Sequence, residues 1–532
     1  MKITKLTKAL TMLLTLTITT TTLAACSTSS AGNANNKHKK HKKHKKHRVE
    51  ETIRETQAPT DPTSETEPTT PQPTESEINI QQEIHDLYYD PAYKDFDVTP
   101  DGKIVINVTS YNDELPNFID IFLANNPDVA DTYVINTTII SAYTDNYEDQ
   151  LVNALNQYDI TSPDIYVADS SYASKFINGD ASHYAAPYDT LGLPTDLETA
   201  LTEAEIAPYV QQVGTRHLTD PDANSANSAN PQTIDQIVAL SFNAAPGACV
   251  YRRSIAMDVF GTDDPATIAK KIGGGTGNFD AFKSAANTIS KKGYYAISSN
   301  ADLWRCYSFS MEEPWVTDHE FNIKLNVPSS FADLMMDLHY SGAIHNTIQW
   351  SNEWTSDFTG TPKDKPVFGF FGPSWFINYT VASYGEDTFG DWAICEPPVN
   401  YFWGGEWVFC NEQSNPIVKQ GAGEILYWLT LDATEQGAQY LIASGALGNG
   451  IPLTVPSAKV MRNCDGTLDV LSGQDMYEVF IPALEQIDAK TFNEYSYDLN
   501  LAFTNFVVDY LNEEIPTITE LMHMLQDYYY NN

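Results

Sequence analysis

Carboxylates and tryptophans are the side chains of this 532-residue chain whose types and spacing point to chemistry. Eight tryptophans, Trp304, Trp315, Trp350, Trp354, Trp375, Trp392, Trp403 and Trp407, fall between positions 304 and 407. The stretch YFWGGEWVFC, residues 401–410, concentrates them around a glycine pair. An indole offers a flat apolar face and a pyranose offers an apolar C–H face. The sugar hydroxyls then need directed donors and acceptors. Asn112, Glu114, Asp169 and Glu406 supply such groups. Gly404 and Gly405 would let backbone N–H groups approach a ligand closely, Trp403 would be the stacking platform, and Trp407 would face the core. The bland alternative is that each tryptophan is simply packing. Catalysis on a glycoside would need two carboxyl groups about 5 to 10 Å apart, and Glu114 with Glu406 is the one pair on offer. HExxH, GxSxG and Ser-xx-Lys patterns are absent from the sequence, so no catalytic residue, no metal site and no cofactor is expected.

These residues need a frame. KIVINVTSY (103–111), TYVINTTII and PDIYVADSS are β-branched runs that read as strands. Between them, Leu115, Phe118 and Phe122, then Tyr147, Leu151 and Leu155, fall on single helical faces. Strand alternating with helix implies an α/β fold with a mostly parallel sheet covered on both faces. Ligand crevices in such sheets lie beyond the carboxyl ends of the strands. Asn112, Asp113 and Glu114 follow the first strand, and Asp169, Ser170 and Ser171 follow the third. Asp113 and Asp169 have an alternative role as helix caps. The 455 or so residues from Ile78 onward exceed one compact core and suit two lobes. Residues 232–265 read as a strand, a Pro-Gly turn and a helix that carry the chain into the second lobe. IGGGTG lacks the following Lys-Ser or Lys-Thr of a phosphate cradle and reads as a loop.

The N-terminus sets the location. Lys2, Lys5 and Lys8 precede an apolar, threonine-rich run ending in LAAC at Cys26, the pattern of a secretory signal peptide. LAAC also resembles the bacterial lipobox, in which the cysteine becomes the diacylated first residue. Residues 1–25 are therefore expected to be a lipoprotein signal peptide and Cys26 the lipid anchor. No later run reaches the ~18 apolar residues of a membrane helix. Residues 26–77 read as a disordered tether, His/Lys-rich at NKHKKHKKHKKHR (36–48) and then rich in Pro, Thr and Glu. The histidines could hold zinc weakly; attachment to anionic headgroups or wall polymers fits the basic run better. Residues 1–77 hold twelve of the 31 Lys and Arg and eight of the 70 Asp and Glu, which leaves −43 for the rest. That charge excludes nucleic acid and favours a neutral or cationic ligand. Apart from Cys26 there are five cysteines, Cys249, Cys306, Cys395, Cys410 and Cys464. Cys395 and Cys410 bracket the aromatic stretch and are candidates for a disulfide.

Taken in order, SYNDELPNFIDIF, SPDIYVAD, APGACVYRRSIAMDVFGTDDP, FGFFGPSWF, GDWAICEPPVNYFWGGEWV and GAGEILYWLT resemble segments of family 1 extracellular solute-binding proteins, the receptors of carbohydrate ABC importers. The likeness runs from about Lys103 to Leu453. It implies a periplasmic-binding-protein-like fold of two lobes closing on a sugar, with lobe 1 at about 102–238 and 366–430 and lobe 2 at about 239–365 and 431–532. It also implies that Asn112, Glu114, Asp169, Trp375, Trp403, Gly404 and Gly405 face the cleft, with Trp304 and Trp315 approaching from the other lobe; Glu406, next to the glycines, is a further candidate ligand-binding residue. The partners would be a carbohydrate, permease subunits and, through lipid, the outer face of the cell membrane, with the receptor a monomer. Tyr111 and Glu406 depart from the usual residues of these receptors, and Glu406 leaves room for an amino sugar or another cationic group. The rivals are a surface adhesin, a glycoside hydrolase, and a receptor for peptides or polyamines. The segment from about Pro456 to Asn532 matches nothing in the resemblance.

Overall fold

A computed structural model describes residues 75–141, 146–219, 233–324, 326–361, 363 and 365–531. The signal segment, Cys26, the His/Lys tract and most of the tether lie outside the described residues. The elements that position the site are, in chain order, β1 (Ile104–Ser110), α1 (Glu114–Asn125), β2 (Tyr133–Ile139), α2 (Tyr147–Asn156), β3 (Ile165–Asp169) and α3 (Ser170–Ile177). They continue with β4 (Leu240–Asn243), β5 (Ala248–Arg252), α4 (Phe279–Lys291), β6 (Tyr295–Ile297), α5 (Asn300–Tyr307), α6 (Asn326–Tyr340), β7 (Val367–Gly372) and β8 (Trp392–Cys395). The last are β9 (Glu406–Cys410), α7 (Pro416–Thr430), α8 (Ser496–Leu511) and α9 (Ile518–Asn531).

Two large sheets form, one per lobe, beside three two-stranded ribbons among the described residues. The first has the order β2-β1-β3-β9-β4, with β1 parallel to β2 and β3, and β9 antiparallel to β3 and β4. All seven residues of β1 are buried, as a strand covered on both faces requires. Leu115, Phe118 and Phe122 of α1, and Tyr147, Leu151 and Leu155 of α2, are the buried faces the 3.6-residue period predicts. The second sheet has the order β8-β5-β7-β6. Its helix α4 buries Phe282, Ala286 and Ile289.

The lobe limits differ from the sequence expectation. β7 and β8 pair with β5 in the second sheet, so residues 366 to about 395 belong to lobe 2 rather than lobe 1. β4 pairs with β9, so lobe 1 extends past 238. The reason is strand pairing between distant segments, which no local pattern encodes. The C-terminal part is divided too: Ala438–Ala443 packs on β4, whereas α8 packs on α5 and α6 of lobe 2. Cys395 lies opposite Cys249 in the second sheet and Cys410 opposite Ile165 in the first. All five described cysteines are free thiols, and the suggested Cys395–Cys410 bridge is not formed because its ends sit in different lobes. No described helix is long and apolar enough to cross a membrane.

The two central crossings run side by side. Gly247 N–H donates to Tyr401 O at 2.8 Å and Trp403 N–H to Ala245 O at 2.9 Å. A side chain at Gly247 would strike the Tyr401 ring, since a Cβ there would lie 1.9 Å from it. A third crossing joins them, with Ala244 N–H donating to Thr454 O at 3.1 Å. Three narrow strips of chain thus connect the two lobes, the place where a hinge would lie.

Candidate functional site

Trp403 sits on the hinge strip, and the space between the lobes is built around it. Its ring is 7% exposed. The Arg305 guanidinium lies over it with Cζ 3.6 Å from the ring centroid. Trp375 meets it edge-on at 4.7 Å and Trp350 is tilted toward it at 5.9 Å. Trp375 Nε1 donates to the Trp403 carbonyl at 3.0 Å, which locks the strip. Ser170 and Ser171 reach the space from lobe 1, and Asn300, Trp304, Arg305, Gln349 and Trp350 from lobe 2. Tyr497, Asn500, Leu501, Thr504, Asn505 and Val508 line another wall from one face of α8. The cleft is concave and open to solvent at its mouth, the form that small-molecule sites take.

The local sequence explains why Arg305 stands where it does. Ser299 and Asp302 form a capping box at the start of α5. Asp302 is fully buried and accepts from Ser299 N–H at 3.0 Å, Trp354 Nε1 at 3.1 Å and Gln349 Nε2 at 2.9 Å. Gln349 turns its Oε1 to Arg305 Nη2 at 2.9 Å. One helical turn after the cap, Arg305 is thus aimed across the cleft by a chain of neutral and acidic groups. Burial lowers its pKa to about 10. Three buried polar atoms at the cleft have no partner among the described residues: Arg305 Nε, Trp350 Nε1 and Asn300 Oδ1. Unsatisfied buried groups of this kind are costly unless something else meets them.

A second cluster lies at the carboxyl edge of the first sheet. Tyr111 hydroxyl donates to Glu406 Oε1, and Asn243 Nδ2 donates to Oε2 at 2.8 Å. Glu114 and Asn112 act on the same carboxyl. Burial, then the charge of Glu406, pushes Glu114 well above the carboxylate range, and burial pushes Glu406 up to about 7. Burial likewise raises Asp169 and lifts Asp302 to about 7. These carboxyls hold protons better folded than unfolded, where a glutamate titrates near 4.5. The native state therefore binds more protons over that interval. Their contribution to stability is greatest below the unfolded value and is lost as pH rises through the folded one. The chain is expected to melt a few degrees higher at pH 5 than at pH 8. Differential scanning calorimetry across that range checks this, and a maximum at pH 8 would contradict it.

The residues singled out by the sequence divide into three groups. Trp403, Gly404 and Trp304 line the cleft, and Trp375 buttresses Trp403 from behind. Asn112, Glu114, Asp169 and Glu406 gather in the acidic cluster, with Asp169 also capping α3 through Ser171 N–H at 2.8 Å. Trp315 is a correction: it is 1% exposed, packed against Trp304, Phe321 and Phe503 in the lobe 2 core, and does not line the cleft. Its indole N–H and that of Trp304 both donate to Asn500 Oδ1 at 2.9 Å. The glycine pair also answers to packing. Gly404 and Gly405 have φ of +97° and +106°. A Cβ on Gly405 would lie 2.8 Å from the Trp407 ring, and one on Gly404 3.1 Å from Trp375 Nε1. Sequence reasoning missed Arg305, Gln349, Trp350 as a polar partner, and the whole α8 face. The available signals were a lone cation in an aromatic helix and the polar Asn500, Thr504 and Asn505 recurring on one face of an apolar helix.

No protein-family profile matches the chain, and no curated protein sequence matches it. Solved structures do. A family 1 extracellular solute-binding protein superposes with a TM-score of 0.60 at 13% identity, covering 80% of this chain and 98% of the other. The sugar-binding protein MalE from Xanthomonas citri gives 0.56 at 11% identity over 80% and 96%. The galacto-N-biose-/lacto-N-biose I-binding protein of an ABC transporter from Bifidobacterium longum, in complex with lacto-N-biose, gives 0.54 at 14% over 81% and 97%. The chain has the two-lobed fold of family 1 extracellular solute-binding proteins.

Proposed function

We propose that the protein is a lipid-anchored solute receptor that captures a saccharide between its lobes and hands it to the permease of an ABC importer. The observation that carries this reading is the cleft at the hinge, where indole faces and partnerless polar atoms, Arg305 Nε, Trp350 Nε1 and Asn300 Oδ1, are brought together. Apolar faces for C–H groups and directed polar atoms for hydroxyls are what a sugar requires. Neighbours of the same fold that are named for sugars support it. A hinge favours a receptor that closes over an adhesin that merely displays a surface. A hydrolase is disfavoured because Glu114 and Glu406, the one carboxyl pair on offer, are not among the residues lining the cleft. Calorimetric titration of the mature chain, carrying Cys26→Ser, with a panel of di- and oligosaccharides tests the reading. Saturable binding of at least one supports it, and none at millimolar concentration counts against it.

The anchor is a separate part of the proposal, supported by LAAC at Cys26 and the basic tract beyond it. One acyl chain gives weak membrane residence, whereas two chains or one chain with a polybasic segment hold firmly. Cys26→Ala is expected to abolish acylation and release the protein into the medium. Fractionation with acyl labelling checks this; a variant still fully membrane-bound would show that Cys26 is not the anchor.

A further inference from the structure

Arg305 is the single charged residue among those that line the cleft. In a chain of net charge −39, a buried cation would ordinarily be matched by a carboxylate. Arg305 has no carboxylate in hydrogen-bond contact among the described residues: Nη2 donates to the neutral amide of Gln349 at 2.9 Å, Nε is buried without a partner among them, and Asp302 and Asp169 act on the cation only through space. The nearest carboxyls are engaged elsewhere. Asp302 is taken by Trp354, Gln349 and the Ser299 N–H. Asp169 takes the Ser171 N–H. Stacking on Trp403 occupies the face of the guanidinium at 3.6 Å and leaves its in-plane N–H groups to bind. A second donor without an acceptor, Trp350 Nε1, belongs to a ring 5.9 Å from the same indole. Two unpartnered donors on residues lining one cleft, one of them charged, ask for an acceptor. A hydroxyl would satisfy the hydrogen bonds, whereas an anion would also pair directly with a cation that Asp302 and Asp169 meet only through space.

We propose that the saccharide of this cleft carries an anionic substituent, a carboxylate or sulfate, that docks on Arg305 Nε with Trp350 Nε1 as the second donor. This rests on the saccharide reading above and reverses the expectation, drawn from net charge, of a neutral or cationic ligand. The long-range field governs encounter, whereas the donors in contact with the ligand govern selection.

The test is calorimetric titration of the mature chain, carrying Cys26→Ser, with matched pairs, each a uronate-containing or sulfated disaccharide and its neutral counterpart. The acidic member of the preferred pair is expected to bind at least about tenfold tighter. That preference is expected to vanish in Arg305→Gln and to survive in part in Arg305→Lys. The wild-type comparison stands without the variants, so their folding does not decide the result. A neutral member binding as tightly as its acidic counterpart overturns the inference while leaving the saccharide reading intact. An acidic preference unchanged in Arg305→Gln overturns the assignment to Arg305. Binding of no member of any pair at millimolar concentration overturns both.

Discussion

Replacing Lys94 with methionine is expected to cost about 3 to 5 kcal/mol of folding stability. Lys94 Nζ lies 2.8 Å from Asp164 Oδ1, and both side chains are 1% exposed. Asp164 is the knot at this end of the first sheet. Its Oδ2 accepts from Asn107 N–H of β1 at 2.8 Å, and its Oδ1 from Ser414 Oγ at 2.5 Å just before α7. Removing the ammonium leaves the carboxylate buried with hydrogen bonds but no countercharge. The cost comes from that stranded ion rather than from the attraction lost. The double variant Lys94→Met with Asp164→Asn should therefore recover part of the loss. Urea unfolding of the two proteins measures both numbers. A single-variant effect below about 1 kcal/mol, the range of exposed pairs, would show that the pair is solvated.

Trp403→Ala is expected to reduce stability and binding together. The sequence posed a choice between a core tryptophan and a stacking platform; Trp403 is packed as a core residue, lines the cleft and carries Arg305 on its ring. At 7% exposure, with Arg305 on its ring and Trp375, Trp350 and Phe376 around it, the side chain is packed as a core residue is. Truncation should cost about 3 to 5 kcal/mol. It also removes the surface that positions Arg305 and Trp350 at the cleft, so ligand affinity should fall by about 30-fold or more. Unfolding and titration of the same variant separate the two effects. Near-normal affinity in a destabilised variant would move the site away from this ring.

Much of the fold was legible because helices α1 and α2 bury residues at the 3.6-residue period and β1 is a run rich in β-branched residues. The division into lobes was not. FGFFG and WAIC find their partner in ACVYR, and nothing in those segments alone says so. The site shows the same division between local and distant information. Glu114 and Asp169 were legible as polar groups at strand ends and Glu406 as the carboxylate after the glycine pair, and they do meet; that burial raises the pKa of all three appears only on folding. Arg305 gains its meaning from Trp403, which lies far along the chain on another element. Trp315 and Trp304 are alike in composition and neighbourhood, yet only Trp304 reaches the cleft. Asn500 takes both their indole N–H groups and is itself on α8, in the segment that matched no motif.

The central claim is that a ligand is held between lobes that close on it about the strips at Ala244–Gly247, 396–405 and Thr454. Small-angle X-ray scattering of the mature chain, carrying Cys26→Ser, with and without the tightest-binding saccharide tests this most directly. Closure predicts a smaller radius of gyration at saturation. An identical radius with the site demonstrably filled would contradict it, since the cleft would then bind without the hinge moving.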